Sequence, residues 1–133
     1  MSLEEDLAEL CAANAFMKYN HIVLKSVERD RAVMELTVQD ESLNPYGMVH
    51  GGALYTMGDC AAGTAARSNG RRYVTLASNL NFLRSGMPGD VIQAVGTVRR
   101  RGKTTCYVTV DISNSEGTLL ASGNFTFFCI DEN

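Results

Sequence analysis

The sequence has no tryptophan, two prolines and two histidines, and no apolar run near the roughly 18 residues that cross a bilayer. Each scarcity excludes something. His21 and His50 are far apart, and Cys11, Cys60, Cys106 and Cys129 are scattered with no Cys-x-x-Cys pair, so zinc-type ligand spacing is absent. Four such cysteines read as buried thiols of a reducing compartment. A net charge of -3 gives no electrostatic case for nucleic acid. No signal-peptide h-region opens the chain. The expectation is a cytoplasmic protein with no membrane and no nucleic-acid partner. What is present fits a folded domain: 45% hydrophobic and 20% charged residues argue against disorder, and 133 residues suit a single domain, 1–133.

The chain is organised around one stretch, Asn44-Pro-Tyr-Gly-Met-Val-His50-Gly51-Gly52, and the small-residue run that continues to Ala66. Asn-Pro initiates a turn. The Ala-rich segment after it, about four turns long, reads as a central helix over 52–68, ended by Asn69-Gly70. Glycines 52, 58 and 63 lower its propensity by roughly 1 kcal/mol each relative to Ala. Packing on most sides must therefore supply its stability. Within this apolar helix stands a single charge, Asp59.

Elsewhere, Leu3, Leu7, Leu10 and Met17 recur at helical spacing behind a Ser2/Glu5 capping pair, a stripe that Asn14 interrupts, predicting one N-terminal helix from about 3 to 17 within the segment 1–17. Asn20 to Lys25 opens a first strand, and Arg31 to Gln39 alternates as a second. After the central helix, strands are expected over Tyr73–Leu83, Val91–Val98, Thr104–Ile112 and Leu119–Ile130, with Arg99 to Gly102 as a connection and Asn114-Ser-Glu-Gly117 as a hairpin turn. Short connections imply antiparallel neighbours. The expected architecture is α+β, with a twisted antiparallel sheet wrapped around one long helix.

Asn44-x-x-Gly47-x-x-His50-Gly51-Gly52, followed nine residues after the histidine by Asp59, resembles the hotdog-fold acyl-CoA thioesterases. The nearest branch is the phenylacetate-degradation type (PaaI-like). The Val74-Thr75 strand, Asn79 to Leu83, the Pro-Gly-Asp turn at 88–90 and Arg-Gly-Lys-Thr at 101–104 extend the resemblance. It implies a hotdog fold and hydrolysis of a CoA thioester, aromatic or medium-chain, with no cofactor beyond the coenzyme A of the substrate. It also implies a homodimer with sites across the interface, paired into a tetramer. By the same resemblance Asp59 is base or nucleophile, and the Gly51 N–H holds the thioester oxygen. Asn44 and His50 shape the site, and Thr75 assists the attacking water.

The chemistry supports these roles independently. A thioester carbonyl needs a hydrogen-bond donor where negative charge develops, and a glycine-led helix N-terminus presents free N–H groups. A carboxylate must deliver water, or itself, to the carbonyl carbon. Asp59 has no cation at i±3 or i±4, and an apolar helix desolvates it, which disfavours its charged form. Nine residues at about 100° each place His50 and Asp59 half a turn out of phase and about 13 Å apart along the axis. If both lie on that helix, one chain cannot bring Asp59 to its own helix N-terminus. A second subunit must then complete the site.

Gly52, Tyr55, Met57, Asn81 and Phe82 are candidates for substrate contact, with Tyr55, Met57 and Phe82 expected to line an acyl pocket. Arg100, Arg101, Gly102 and Lys103, together with Arg84, are candidates for the coenzyme A phosphates, although a solvated turn is the plain reading of such a charge run. Each site residue has its plain reading too. Asp59 can be a structural acid, His50 can simply satisfy the turn backbone, and Thr75 can be an ordinary strand threonine. The competing functions are a non-catalytic acyl-CoA-binding hotdog domain, acting as sensor or partner subunit, and a hotdog hydratase or dehydratase. An unpaired carboxylate on a buried helix gains nothing for binding alone, which favours the hydrolase.

Overall fold

The computed structural model describes residues 2–131. Two short helices, α1 (Leu3–Ala13) and α2 (Ala15–Tyr19), precede strands β1 (Ile22–Glu28) and β2 (Arg31–Thr37). A 3-10 turn at Asp40–Ser42 leads to the central helix α3 (Gly51–Arg67). Strands β3 (Tyr73–Phe82), β4 (Val91–Arg101), β5 (Thr105–Asn114) and β6 (Leu119–Cys129) follow. All six strands form one antiparallel sheet in the order β1-β2-β4-β5-β6-β3. Alternation puts Met34, Leu36, Ile92, Ala94, Val108, Val110, Ile112, Phe125 and Phe127 inside, against Leu54, Met57, Ala61, Ala62 and Ala65 of α3. The sheet wraps one helix, as expected.

Close approach of helix and sheet rests on small residues. A Cβ on Gly96 of β4 would lie 2.7 Å from the Ala61 carbonyl oxygen, so only glycine lets α3 seat this deeply.

The N-terminal helix is not continuous over 3–17. Asn14 has an extended backbone, and its side-chain oxygen accepts the Met17 N–H, so it caps a second helix. β4 runs on through Arg101, beyond the expected end at Val98. A bulge between Val98 and Arg100 keeps it paired with β5, so the connection is the shorter 102–104. α3 spans one residue earlier at each end than expected, because His50 serves as its N-cap.

The candidate active site: one helix, two clefts

The loop before α3 is tied by Asn44. Its side-chain oxygen accepts the N–H groups of Tyr46 and Met48, at 2.9 and 3.1 Å, and its own N–H donates to the Met48 carbonyl. Gly47 takes the positive φ of +79° that this turn demands. His50 then caps the helix: its Nδ1 accepts the Gly52 N–H at 2.8 Å. The ring's proton therefore sits on Nε2. The Gly52 N–H is used in this bond, while the Gly51 N–H takes no acceptor among the described residues. It lies at the positive end of the helix dipole.

A cleft of about 300 Å³ opens there, lined by Asn44, Gly51, Leu54, Phe82, Arg84 and others. The Phe82 ring covers Gly51, with its nearest atom 3.4 Å from where a Cβ would stand.

Asp59 opens elsewhere. It lines a separate cleft of about 450 Å³ between α1, α2 and α3. Its Oδ1 accepts the Thr75 hydroxyl at 2.6 Å. One turn earlier, the Tyr55 hydroxyl is hydrogen-bonded to Ser78. Two residues of one helix face are thus pinned to β3, where Leu76 is an extra, unpaired residue between Thr75 and Ala77. Asp59 is half-buried, so the desolvation expected on an apolar helix is incomplete in the single chain.

Several expected contacts stand differently. Met57 is fully buried in the core and reaches neither cleft, because it lies on the helix face turned to the sheet. Tyr55 also lines neither cleft, being spent on Ser78 and an edge-on contact with Phe125. Arg101 is no free phosphate ligand, with 16% of its side chain exposed. It donates to Asp30 at 2.7 Å, to the Ala66 carbonyl at 2.8 Å and to Tyr73 Oη at 3.2 Å. Arg100 and Lys103 are exposed, and Gly102 sits in the β4–β5 turn with its N–H bonded to Thr105 O. Arg84 belongs to the Gly51 cleft, so it stands at the opposite end of α3 from Arg101 and does not join that group within one chain. Asn81 is exposed on β3, with a long contact to the Ser122 carbonyl. The wall that α1 and α2 supply to the Asp59 cleft was not foreseen. Cys60, Thr64 and Arg67 stand at i, i+4 and i+7 on one helix face, the spacing that marks its floor.

The family model of the thioesterase superfamily matches residues 46–121, which include Gly51, Asp59 and Thr75. The chain belongs to that family. Among curated relatives, the acyl-coenzyme A thioesterase PaaI of Escherichia coli is 34% identical over 72% of this chain and 69% of its own. Human acyl-coenzyme A thioesterase 13 is 28% identical over 94% of this chain and 92% of its own. The solved PaaI structure from E. coli superposes with a TM-score of 0.89 at 30% identity, covering 99% of both chains. A Streptococcus mutans protein solved bound to acetyl CoA superposes at 0.80 with 34% identity, over 84% of this chain and 90% of its own. These likenesses confirm the hotdog fold.

Proposed function

We propose that the protein hydrolyses acyl-CoA thioesters as a homodimer, with Asp59 of one subunit acting on a carbonyl polarised by the Gly51 N–H of the other. One observation carries the reading: the carboxylate and the unclaimed helix-terminal N–H open into different clefts of the same chain. The family supports it, since relatives carry the name acyl-CoA thioesterase and one neighbour was solved with acetyl CoA.

In the water route, Asp59 takes a proton from water, and the hydroxide adds to the thioester carbon. Negative charge gathers on the oxygen facing Gly51, the C–S bond breaks, and the sulfur receives the proton. The products are free acid and CoA thiol. In the covalent route, the Asp59 carboxylate adds to the thioester carbon, the C–S bond breaks and CoA leaves as thiolate, giving an acyl-aspartyl anhydride. Water then cleaves the anhydride and its proton goes to the thiolate. Single turnover in 18O water identifies the covalent route when label enters Asp59, which requires water attack at the aspartyl carbon of the anhydride. In both routes the Thr75 hydroxyl orients the carboxylate. His50 and Asn44 hold the helix start, Phe82 covers the reacting group, and Arg84 meets a phosphate of the coenzyme. Hydrolysis written this way balances without a redox or metal cofactor.

β3 supports the dimer. Among the described residues it pairs only with β6, which leaves its other edge open, and Val74 and Leu76 are exposed along it. An open, partly apolar edge strand is a template for a second copy. Association of two such dimers gives the tetramer. Four free cysteines suit a reducing cytoplasm, and among the described residues no helix is long and apolar enough to cross a membrane.

The test is CoA thiol release from phenylacetyl-, hydroxyphenylacetyl-, benzoyl-, hexanoyl- and lauroyl-CoA. Asp59→Asn keeps the shape and removes the base, so turnover falls about 10²- to 10⁴-fold while thioester binding persists. Equal turnover in both proteins defeats the mechanism. Tight binding without turnover by the wild type favours the non-catalytic alternative. A fully active monomer in sedimentation defeats the shared site.

A further inference from the structure

The Asp59 cleft continues away from the carboxylate, between Leu7, Cys11 and Met17 on one side and Cys60 and Thr64 on the other, and ends at Arg67. Its walls are chemically quiet. Burial, then the charge of Asp59, pushes the Cys60 thiol up to about 12, and burial raises Cys11 as well, so both thiols stay neutral. The guanidinium is different. Arg67 lies eight residues beyond Asp59, but its side chain folds back towards the helix N-terminus. Its Nη1 is 3.0 Å from where a Cβ on Gly63 would stand. The cation is therefore level with Gly63, about 6 Å along the axis from Asp59.

Nη2 donates to the Tyr73 carbonyl at 3.1 Å. Arg67 forms no ion pair with a carboxylate among the described residues. Nor is it needed to close the helix end, where Arg101 already serves the Ala65 and Ala66 carbonyls. A half-buried cation with donors to spare, lining the same cleft of mixed polarity as the Asp59 carboxylate, lacks an ion-pair partner among the described residues.

We infer that this cleft holds the acyl group and that Arg67 reads its far end, selecting acyl chains that terminate in a carboxylate. A six-carbon acyl chain spans about 6 Å between its end carbons, which matches the separation above. Guanidinium and carboxylate form two parallel, charge-assisted hydrogen bonds, whereas a methyl terminus leaves the cation unpaired. The inference rests on the hydrolase reading and sharpens it from thioesters in general to ω-carboxyacyl thioesters.

The experiment compares adipoyl-CoA with hexanoyl-CoA, which are matched in length and differ only at the far end. In the wild type, kcat/KM favours adipoyl-CoA. Arg67→Gln lowers it for adipoyl-CoA by about tenfold or more and leaves hexanoyl-CoA within about twofold, so hexanoyl turnover also reports that the variant folds. Arg67→Lys, which keeps the charge without the fork, falls between. A wild-type preference for hexanoyl-CoA, or an adipoyl-to-hexanoyl ratio unmoved by Arg67→Gln, overturns the inference. The same pair is measured for binding to Asp59→Asn, with and without Arg67→Gln. That arm reads Arg67 without turnover, so loss of the hydrolase reading and loss of the selectivity are told apart.

Discussion

The two ends of α3 are treated in opposite ways. At the C-terminal end the last carbonyls are closed by side chains and by the chain that follows. Arg101 reaches from β4 to the Ala65 and Ala66 carbonyls and lies 5.8 Å over the Tyr73 ring, while the Ser68 hydroxyl and N–H both turn back to Ala65. At the N-terminal end His50 satisfies Gly52 alone, and the Gly51 N–H is left for something that is not protein. A helix leaves four donors and four acceptors at its termini. Here the acceptors are spent on stability, while the Gly51 N–H has no acceptor among the described residues.

Gly51→Pro attacks the open end most sharply. Proline suits the first helical position, and His50 already has the extended backbone that a following proline requires (φ -64°, ψ 135°). The helix start survives and the N–H is lost, while the ring also adds bulk beneath Phe82, so kcat falls by about 10²- to 10³-fold or more with little change in melting temperature. A fully active variant would remove Gly51 from the mechanism.

Arg101→Met attacks the closed end, with the reverse signature. Stability drops by about 2 kcal/mol in denaturant unfolding, while kcat at a permissive temperature stays near wild type. Most of this loss comes from the helix carbonyls, because Asp30 is 43% exposed and its ion pair is screened. A variant that weakens CoA binding without losing stability would restore Arg101 to the phosphate site. The smallest effect belongs to His50→Ala, which removes a cap worth about 1 kcal/mol and is measured by the same unfolding curve.

The difference between the ends also explains what was legible in the sequence. The open end is local: Asn44, Gly47, His50 and Gly51 lie within eight residues, and turn chemistry and helix geometry connect them without a tertiary map. The half-turn offset between His50 and Asp59 likewise follows from helical periodicity; in the structure it is Gly51, next to His50, that lines a different cleft from Asp59. The closed end is not local. Arg101 meets Asp30 across 71 positions, and in a run of four basic residues nothing marks which one turns inward. That choice is made by the bulge after Val98, invisible in an alternation pattern. Met57 was misplaced for a related reason. A helix apolar on nearly every side has no face that announces a pocket, so only the packed sheet decides that Met57 is core. The strands needed no such context, since their alternation alone separated Val108, Val110 and Ile112 from their outward neighbours.

The unpaired Leu76 turns the placement of Asp59 into a matter of counting. Along α3, Tyr55 and Asp59 are four residues and about 6 Å apart. Along a regular strand, two residues of the same parity are about 6.6 Å apart, but Thr75 and Ser78 differ by three and would face opposite ways. The bulge leaves Leu76 out of the pairing, so three positions fill the span of two and both hydroxyls meet the helix at once. The two periods agree to within a fraction of an ångström because the bulge takes the odd residue out of the count. Deleting Leu76 leaves Thr75 and Ser78 two positions apart in a regular strand, on one face and about 6.6 Å apart, so both bonds to the helix are expected to outlast the bulge itself.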